Sequence, residues 1–182
     1  EFIGLADVDQ KYAKGVIDEY TKLFPNCKVY NDYKKMYAEL LDQCDAVICG
    51  TADHTHAIIC AEALQAGKHV FCEKPIDYDI DKIKKLLALV EEKGVKFQVG
   101  FNRRFDHNHK AVADAVKDGT IGDPHIVIVS SRDPEPPPAS YVAVSGGIFY
   151  DMMIHDFDMV RYVPGSEAVE HSAVGSFLVT PT

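Results

Sequence analysis

The sequence predicts a doubly wound α/β fold built on a parallel sheet. Three observations carry that expectation. Short, nearly all-apolar runs alternate with helix-like stretches through residues 1–104. The runs are followed by polar motifs, where the ligand-binding loops of open parallel sheets lie. The chain is 182 residues long, 47% hydrophobic and 26% charged, as soluble globular domains are, and its length suits one domain and part of another.

Taken in order, the apolar runs 2–6, 45–50, 69–72 and 96–99 read as strands. Because they hardly alternate with polar residues, both of their faces are expected to be covered. Helices are expected at 9–24, 33–42, 55–66 and 79–93, with Gly67 and Gly94 ending two of them. After Arg104 the character changes. A helix over 106–118 runs into the turn Asp118-Gly119-Thr120-Ile121-Gly122-Asp123-Pro124. The β-branched run 125–129 reads as a strand. Asp133-Pro134-Glu135-Pro136-Pro137-Pro138 can be neither helix nor central strand. A helix over 151–162 and a strand over 168–179 follow. The expected domains are therefore 1–104 and the start of a second α/β unit over 105–182. Apolar runs at both ends suggest a piece cut within strands, lacking the sheet's first strand and helix and the rest of the second domain.

Charge narrows the function. Nineteen basic against 28 acidic residues give −9. No basic stripe is available to neutralise nucleic-acid phosphates or to meet an anionic membrane, and no apolar run approaches the roughly 18 residues of a membrane span. Five cysteines, an odd number with no CxxC pair, indicate neither a disulfide framework nor a zinc cluster. Their apolar neighbours suit buried thiols in a reducing compartment, so a cytoplasmic protein is expected.

Several motifs could carry chemistry. Asp7 ends the first apolar run, where an acidic side chain can accept hydrogen bonds from ribose hydroxyls and repel the extra phosphate of NADP. Asp7 or Asp9 would equally serve as a helix N-cap. Gly50-Thr51-Ala52-Asp53-His54-Thr55-His56 follows the second run. Its histidines could bind a metal; the ordinary alternative has Thr55 capping a helix and His56 packing locally. Glu73-Lys74-Pro75 follows the third run. An ammonium group there can polarise a hydroxyl, and Pro75 restricts Lys74, more so if the bond is cis. A surface Glu-Lys turn is the plain alternative. Gly100-Phe101-Asn102-Arg103-Arg104-Phe105-Asp106 suits a hinge and substrate wall. In Gly146-Gly147-Ile148-Phe149-Tyr150-Asp151-Met152-Met153-Ile154-His155-Asp156-Phe157-Asp158, Asp151 and His155 are spaced to share one helix face. A carboxylate beside an imidazole suits a general base, whereas a metal site or a solvated acidic helix start would use the same residues.

In this order the motifs resemble the glucose-fructose oxidoreductase and inositol dehydrogenase (Gfo/Idh/MocA) family, over essentially the whole chain. The stretch from Ser131 to Tyr162 looks most like inositol 2-dehydrogenases. The resemblance implies a Rossmann-like cofactor domain, NAD as cofactor, and hydride transfer from a secondary hydroxyl of a polyol such as inositol. It implies no metal and a homo-oligomer. It makes Lys74, Asp151 and His155 catalytic. Asp7, Thr51, His56, Glu73 and Lys74 would meet the cofactor, and Asn102, Arg103, Asp133, Asp151 and His155 the substrate. Ser131 and Asp133 stand where some inositol dehydrogenases carry His and Asn. A dehydrogenase of another sugar, a non-catalytic ligand-sensing relative and a metal-dependent hydrolase or isomerase are the alternatives.

Overall fold

A computed structural model describes residues 1–176. The described residues form two compact units, the first ending at Gly100 and the second beginning at Phe101.

The first unit is a series of parallel strands with intervening helices. β1 (Gly4–Ala6), α1 (Lys14–Leu23), β2 (Lys28–Tyr30) and α2 (Tyr33–Leu40) come first. They are followed by β3 (Ala46–Cys49), α3 (His56–Gln65), β4 (His69–Cys72), α4 (Ile80–Lys93) and β5 (Phe97–Val99). β1 pairs with β2, and β3–β4–β5 form a second sheet, every pairing parallel. A cavity of about 520 Å³, lined in part by Ile3, Gly4, Leu40, Ala46 and Ile48, lies between β1 and β3.

The core follows from side-chain alternation. Val47 and Cys49 of β3 and Val70 and Cys72 of β4 point to one face. There they meet Ala57, Cys60, Ala63 and Leu64 of α3 and Leu86 of α4. The opposite face departs from expectation, since Ile48 is 61% exposed and Phe71 only half-buried. These apolar runs therefore have one well-buried face rather than two, because α3 and α4 join the same core cluster. β2 was not anticipated from the sequence. The helix expected from residue 9 begins at Lys14, after a turn in which Asp9 accepts a hydrogen bond from the Tyr12 amide at 2.9 Å. α4 has both expected ends: Asp79 accepts from the Asp81 amide, and Gly94 closes the helix at φ +63°.

The second unit begins with a 3₁₀ turn, Asn102–Phe105, and α5 (His107–Lys117). α6 (Ala139–Val142) starts directly after Pro138, which is consistent with the prolines before it forming no helix. The single helix expected over 151–162 is instead two, α7 (Ile148–Asp151) and α8 (Met153–Tyr162), interrupted at Met152. Asp151 thus ends α7 and His155 lies in the first turn of α8. The strand expected at 125–129 does not form. Ile126 and Ile128 are more than three-quarters exposed, and a β-branched run without a partner has no ladder to join. The strand expected at 168–179 is absent over 168–176, and its last three residues lie outside the described residues.

Candidate active site

Three loops of the first unit leave the carboxyl ends of adjacent parallel strands. The register Cys49↔Cys72↔Val99 makes Gly50, Glu73 and Gly100 the next residues in line. Backbone bonds continue across the tips, from the Glu73 amide to the Cys49 carbonyl and from the Gly100 amide to the Cys72 carbonyl, both 2.8 Å. Glu73 lies across this row. A Cβ on Gly100 would sit 2.6 Å from its Oε2, and one on Gly50 would be 3.7 Å from its Cγ. Two glycines thus leave room for one glutamate. Glu73 and Gly100 stand 27 residues apart in the sequence, which does not show their contact.

The Lys74 amide donates to Glu73 Oε2 at 3.4 Å, and the Lys74–Pro75 bond is cis. Lys74 itself is half-buried. Tyr78 donates to Asp53 at 2.8 Å, a bond between the β3 and β4 exit loops. Asp77, buried just beyond Pro75, accepts from the Asp79 amide and faces the Lys82 ammonium at 3.3 Å.

His56 is 1% exposed. Its Nδ1 faces the Pro75 carbonyl at 2.7 Å and its Nε2 the Thr51 carbonyl at 2.9 Å. Both ring nitrogens therefore face the protein's own backbone, and His56 lies between the two loops. Thr55 makes no helix cap; its hydroxyl donates to the Ala52 carbonyl and meets that of Thr51 at 2.7 Å. Thr51 is exposed at the loop surface. Asp7 closes β1 at its carboxyl end, with one carboxylate oxygen 2.7 Å from the Asp9 amide. An acceptor there and a glycine-flanked row of strand tips fit a ribose and a flat ring carried on backbone.

Beneath the same tips lie three buried thiols, Cys49, Cys60 and Cys72. The Cys49 Sγ lies 3.6 Å from the Thr51 hydroxyl, and the Cys72 thiol donates to the Glu73 carbonyl at 3.1 Å. All five cysteines are unpaired, four of them buried and Cys44 half-buried.

In the second unit, Gly146 and Gly147 both adopt positive φ, +74° and +80°, a backbone that side chains resist. This turn launches α7, whose last residue is Asp151. The Asp151 Oδ1 accepts from the Tyr141 hydroxyl at 2.8 Å. His155, half-buried on α8, presents its ring edge-on to Phe101 at 6.4 Å between centroids. Asp156 and Asp158 are not a solvated acidic patch. Arg103 bonds to Asp156 and, at 2.9 Å, to the Ser131 hydroxyl. Arg104 grips buried Asp158 through two bonds of 2.8 and 2.6 Å, with its guanidinium 5.1 Å from the Tyr162 ring. Both arginines thus tie the 3₁₀ turn to α8. Asn102 and Asp133 are exposed.

Residues 1–101 match the family described as the GFO/IDH/MocA oxidoreductase family with an NAD-binding Rossmann fold, and residues 109–181 match the GFO/IDH/MocA C-terminal domain. The chain is 44% identical over 152 residues to the myo-inositol 2-dehydrogenase of Thermotoga maritima, which covers 84% of this chain and 45% of that protein. A solved dehydrogenase structure from Lactobacillus casei, with NAD(H) and scyllo-inositol bound, superposes with a TM-score of 0.69 at 30% identity, covering 91% of this chain and 48% of that one. Another solved chain, from Thermotoga maritima, gives a TM-score of 0.81 at 38% identity, covering 92% and 49%. The chain therefore spans about half the length of the proteins it matches.

Proposed function

The chain belongs to the Gfo/Idh/MocA oxidoreductase family, and on that premise we propose that its protein transfers a hydride from a secondary hydroxyl of an inositol to NAD. The observation that carries this reading is the row Gly50, Glu73, Gly100, which puts the Glu73-Lys74-Pro75 turn at the carboxyl ends of parallel strands. The names of the relatives, which include both myo- and scyllo-inositol, support the substrate class.

When bound, NAD supplies the nicotinamide carbon that accepts the hydride. The protein's own residues prepare the carbinol. Hydride leaves a carbinol carbon more readily as the hydroxyl proton departs, so His155 takes that proton as general base. Asp151 orients His155 and stabilises its charged form. Lys74 donates to the same oxygen and steadies the negative charge that develops there. Asp7 accepts from the ribose hydroxyls, which favours NAD over NADP. Thr51 and Glu73 border the cofactor, and His56 serves it from below by holding the two loops. Asn102, Arg103 and Asp133 complete the polyol contacts, Arg103 through its bond to Ser131. We further propose a cytoplasmic homo-oligomer. Five unpaired cysteines support the reducing compartment, and family resemblance supports the oligomer.

The test is NADH formation by the full reading frame, followed by near-ultraviolet absorbance. Myo-inositol, scyllo-inositol and glucose would each be offered with NAD or NADP. Reduction of NAD by an inositol, lowered about 10²–10⁴-fold by Lys74→Ala and by His155→Ala, is the expected result. Wild-type rates in both variants would overturn the residue assignment. No reduction with any polyol would overturn the substrate class.

A further inference from the structure

Asp151 does not stand alone in its unit. The Tyr141 hydroxyl reaches it across ten residues of chain, at 2.8 Å. The intervening segment is built to return. The Tyr141 amide bonds to the Pro138 carbonyl at 2.9 Å, fixing α6 on the proline run. The Ser145 amide then bonds to the Tyr141 carbonyl, also at 2.9 Å. Ser145 is buried, and its hydroxyl accepts from the Gly147 amide at 3.4 Å. After the two positive-φ glycines, the Asp151 amide closes on the Gly147 carbonyl at 3.0 Å. Each link is local, and together they bring residues 141 and 151 to one place.

The bond is poorly suited to a purely structural purpose. Tyr141 is 43% exposed and Asp151 half-buried. A hydrogen bond so close to water contributes little to folding, because solvent replaces either partner readily. A phenol held at a carboxylate does fix that carboxylate's rotamer and one of its acceptor directions.

We infer that Tyr141 is a positioning residue, whose hydroxyl holds Asp151 in the rotamer from which that carboxylate orients the general base. The inference rests on the proposed dehydrogenase reading and adds a residue that neither the motif spacing nor the family resemblance supplied. Tyr141 acts through Asp151 and need not touch substrate. Replacing it should therefore change turnover without changing cofactor affinity, and only while Asp151 retains its carboxylate.

A double-mutant cycle in the full reading frame tests this, with inositol and NAD as reactants. Tyr141→Phe keeps the ring and removes the hydroxyl. It should lower kcat about tenfold, the scale of a lost hydrogen bond to a charged group, with the KM for NAD and the melting temperature unchanged. Asp151→Asn should lower kcat by about a hundredfold or more. Adding Tyr141→Phe to Asp151→Asn should then cost less than about twofold, since the two residues act as one unit. A wild-type kcat in Tyr141→Phe would overturn the inference. So would the same tenfold loss in both backgrounds, or a clear fall in melting temperature, since either marks a structural role. A wild-type kcat in Asp151→Asn would instead overturn the general-base reading, so the two failures are distinguishable.

Discussion

His56 shows how much one buried side chain can hold. Replacing it with alanine would remove the ring from between the buried Pro75 carbonyl and the Thr51 carbonyl. A stranded polar group costs about 1–3 kcal/mol and a neutral imidazole donates through one nitrogen, so His56→Ala should lower the unfolding free energy by about 1–3 kcal/mol in urea titration, before the lost packing of the ring is counted. It should also raise the KM for NAD, because both exit loops lose their common tie. Arg104 and Asp158 make a second, asymmetric case. Arg104 is two-fifths exposed at its side chain whereas Asp158 is 4% exposed, so removing the arginine strands a buried carboxylate and removing the aspartate leaves a cation that water can reach. Arg104→Ala should therefore destabilise by about 3 kcal/mol, and more than Asp158→Ala does; equal losses would contradict the argument. Gly100→Ala differs again. Its Cβ would meet only the end of the flexible Glu73 side chain. The fold should tolerate it, while Glu73 swings off the strand tips and the KM for NAD rises. Lys74, Asp151 and His155 can be proposed from sequence because each sits in a short motif with its own chemistry. Tyr141 on Asp151, Gly100 beneath Glu73 and Arg104 on Asp158 cannot, because each is a contact between segments that the sequence does not juxtapose.

Elements were legible where a local rule sufficed and lost where pairing decided. β1, β3, β4 and β5 are apolar runs bounded by polar loops, and the sequence is enough to find them. β2, Lys28-Val29-Tyr30, has one aliphatic residue and is mostly exposed; it is a strand only because β1 lies beside it. The reverse error at 125–129 has the same cause, since strong β propensity without a neighbour yields extended chain and no ladder. The interruption at Met152 carries no signal of its own, methionine being a good helix former. α5 offers the sharpest test at this scale. Asp106 caps it by accepting from the Asn108 and His109 amides. Bonding from the His109 backbone, then from its side chain, holds the Asp106 carboxyl below the usual aspartate value. A depressed folded value means the cap's contribution is complete above the unfolded value of about 3.9 and fades as pH falls through the lower folded one. The Asn108 and His109 amide resonances should accordingly titrate with a midpoint below that of an unfolded aspartate. Asp106→Asn, which still caps, should remove the titration and keep the helix. A midpoint at or above the unfolded value would contradict the cap.

Across the whole molecule, apolar burial is unevenly shared between the two units. In the first, one continuous cluster runs from Tyr37 through the β3–β4 face to Leu64 and Leu86. Among the described residues of the second, the fully buried apolar side chains are Ala113 and Met159, while Ile126, Ile128, Val144 and Ile148 are more than half exposed. Burial of apolar area is the main favourable term in folding, so the 182-residue chain should not unfold as one cooperative unit. Local opening should instead be ranked by unit. In native-state hydrogen exchange, amides of β3, β4 and α3 should be the slowest, and those of α6, α7 and α8 should exchange at much lower urea. The arginine clasps on Asp156 and Asp158 would make α8 the slowest helix of its unit, since they tie it to the 3₁₀ turn at Asn102–Phe105. Arg104→Ala should then speed exchange in α8 while leaving β3 and β4 unchanged. If all these amides instead exchanged at a single urea-dependent rate, the two units would share one cooperative transition, and uneven apolar burial would not be what sets their stability.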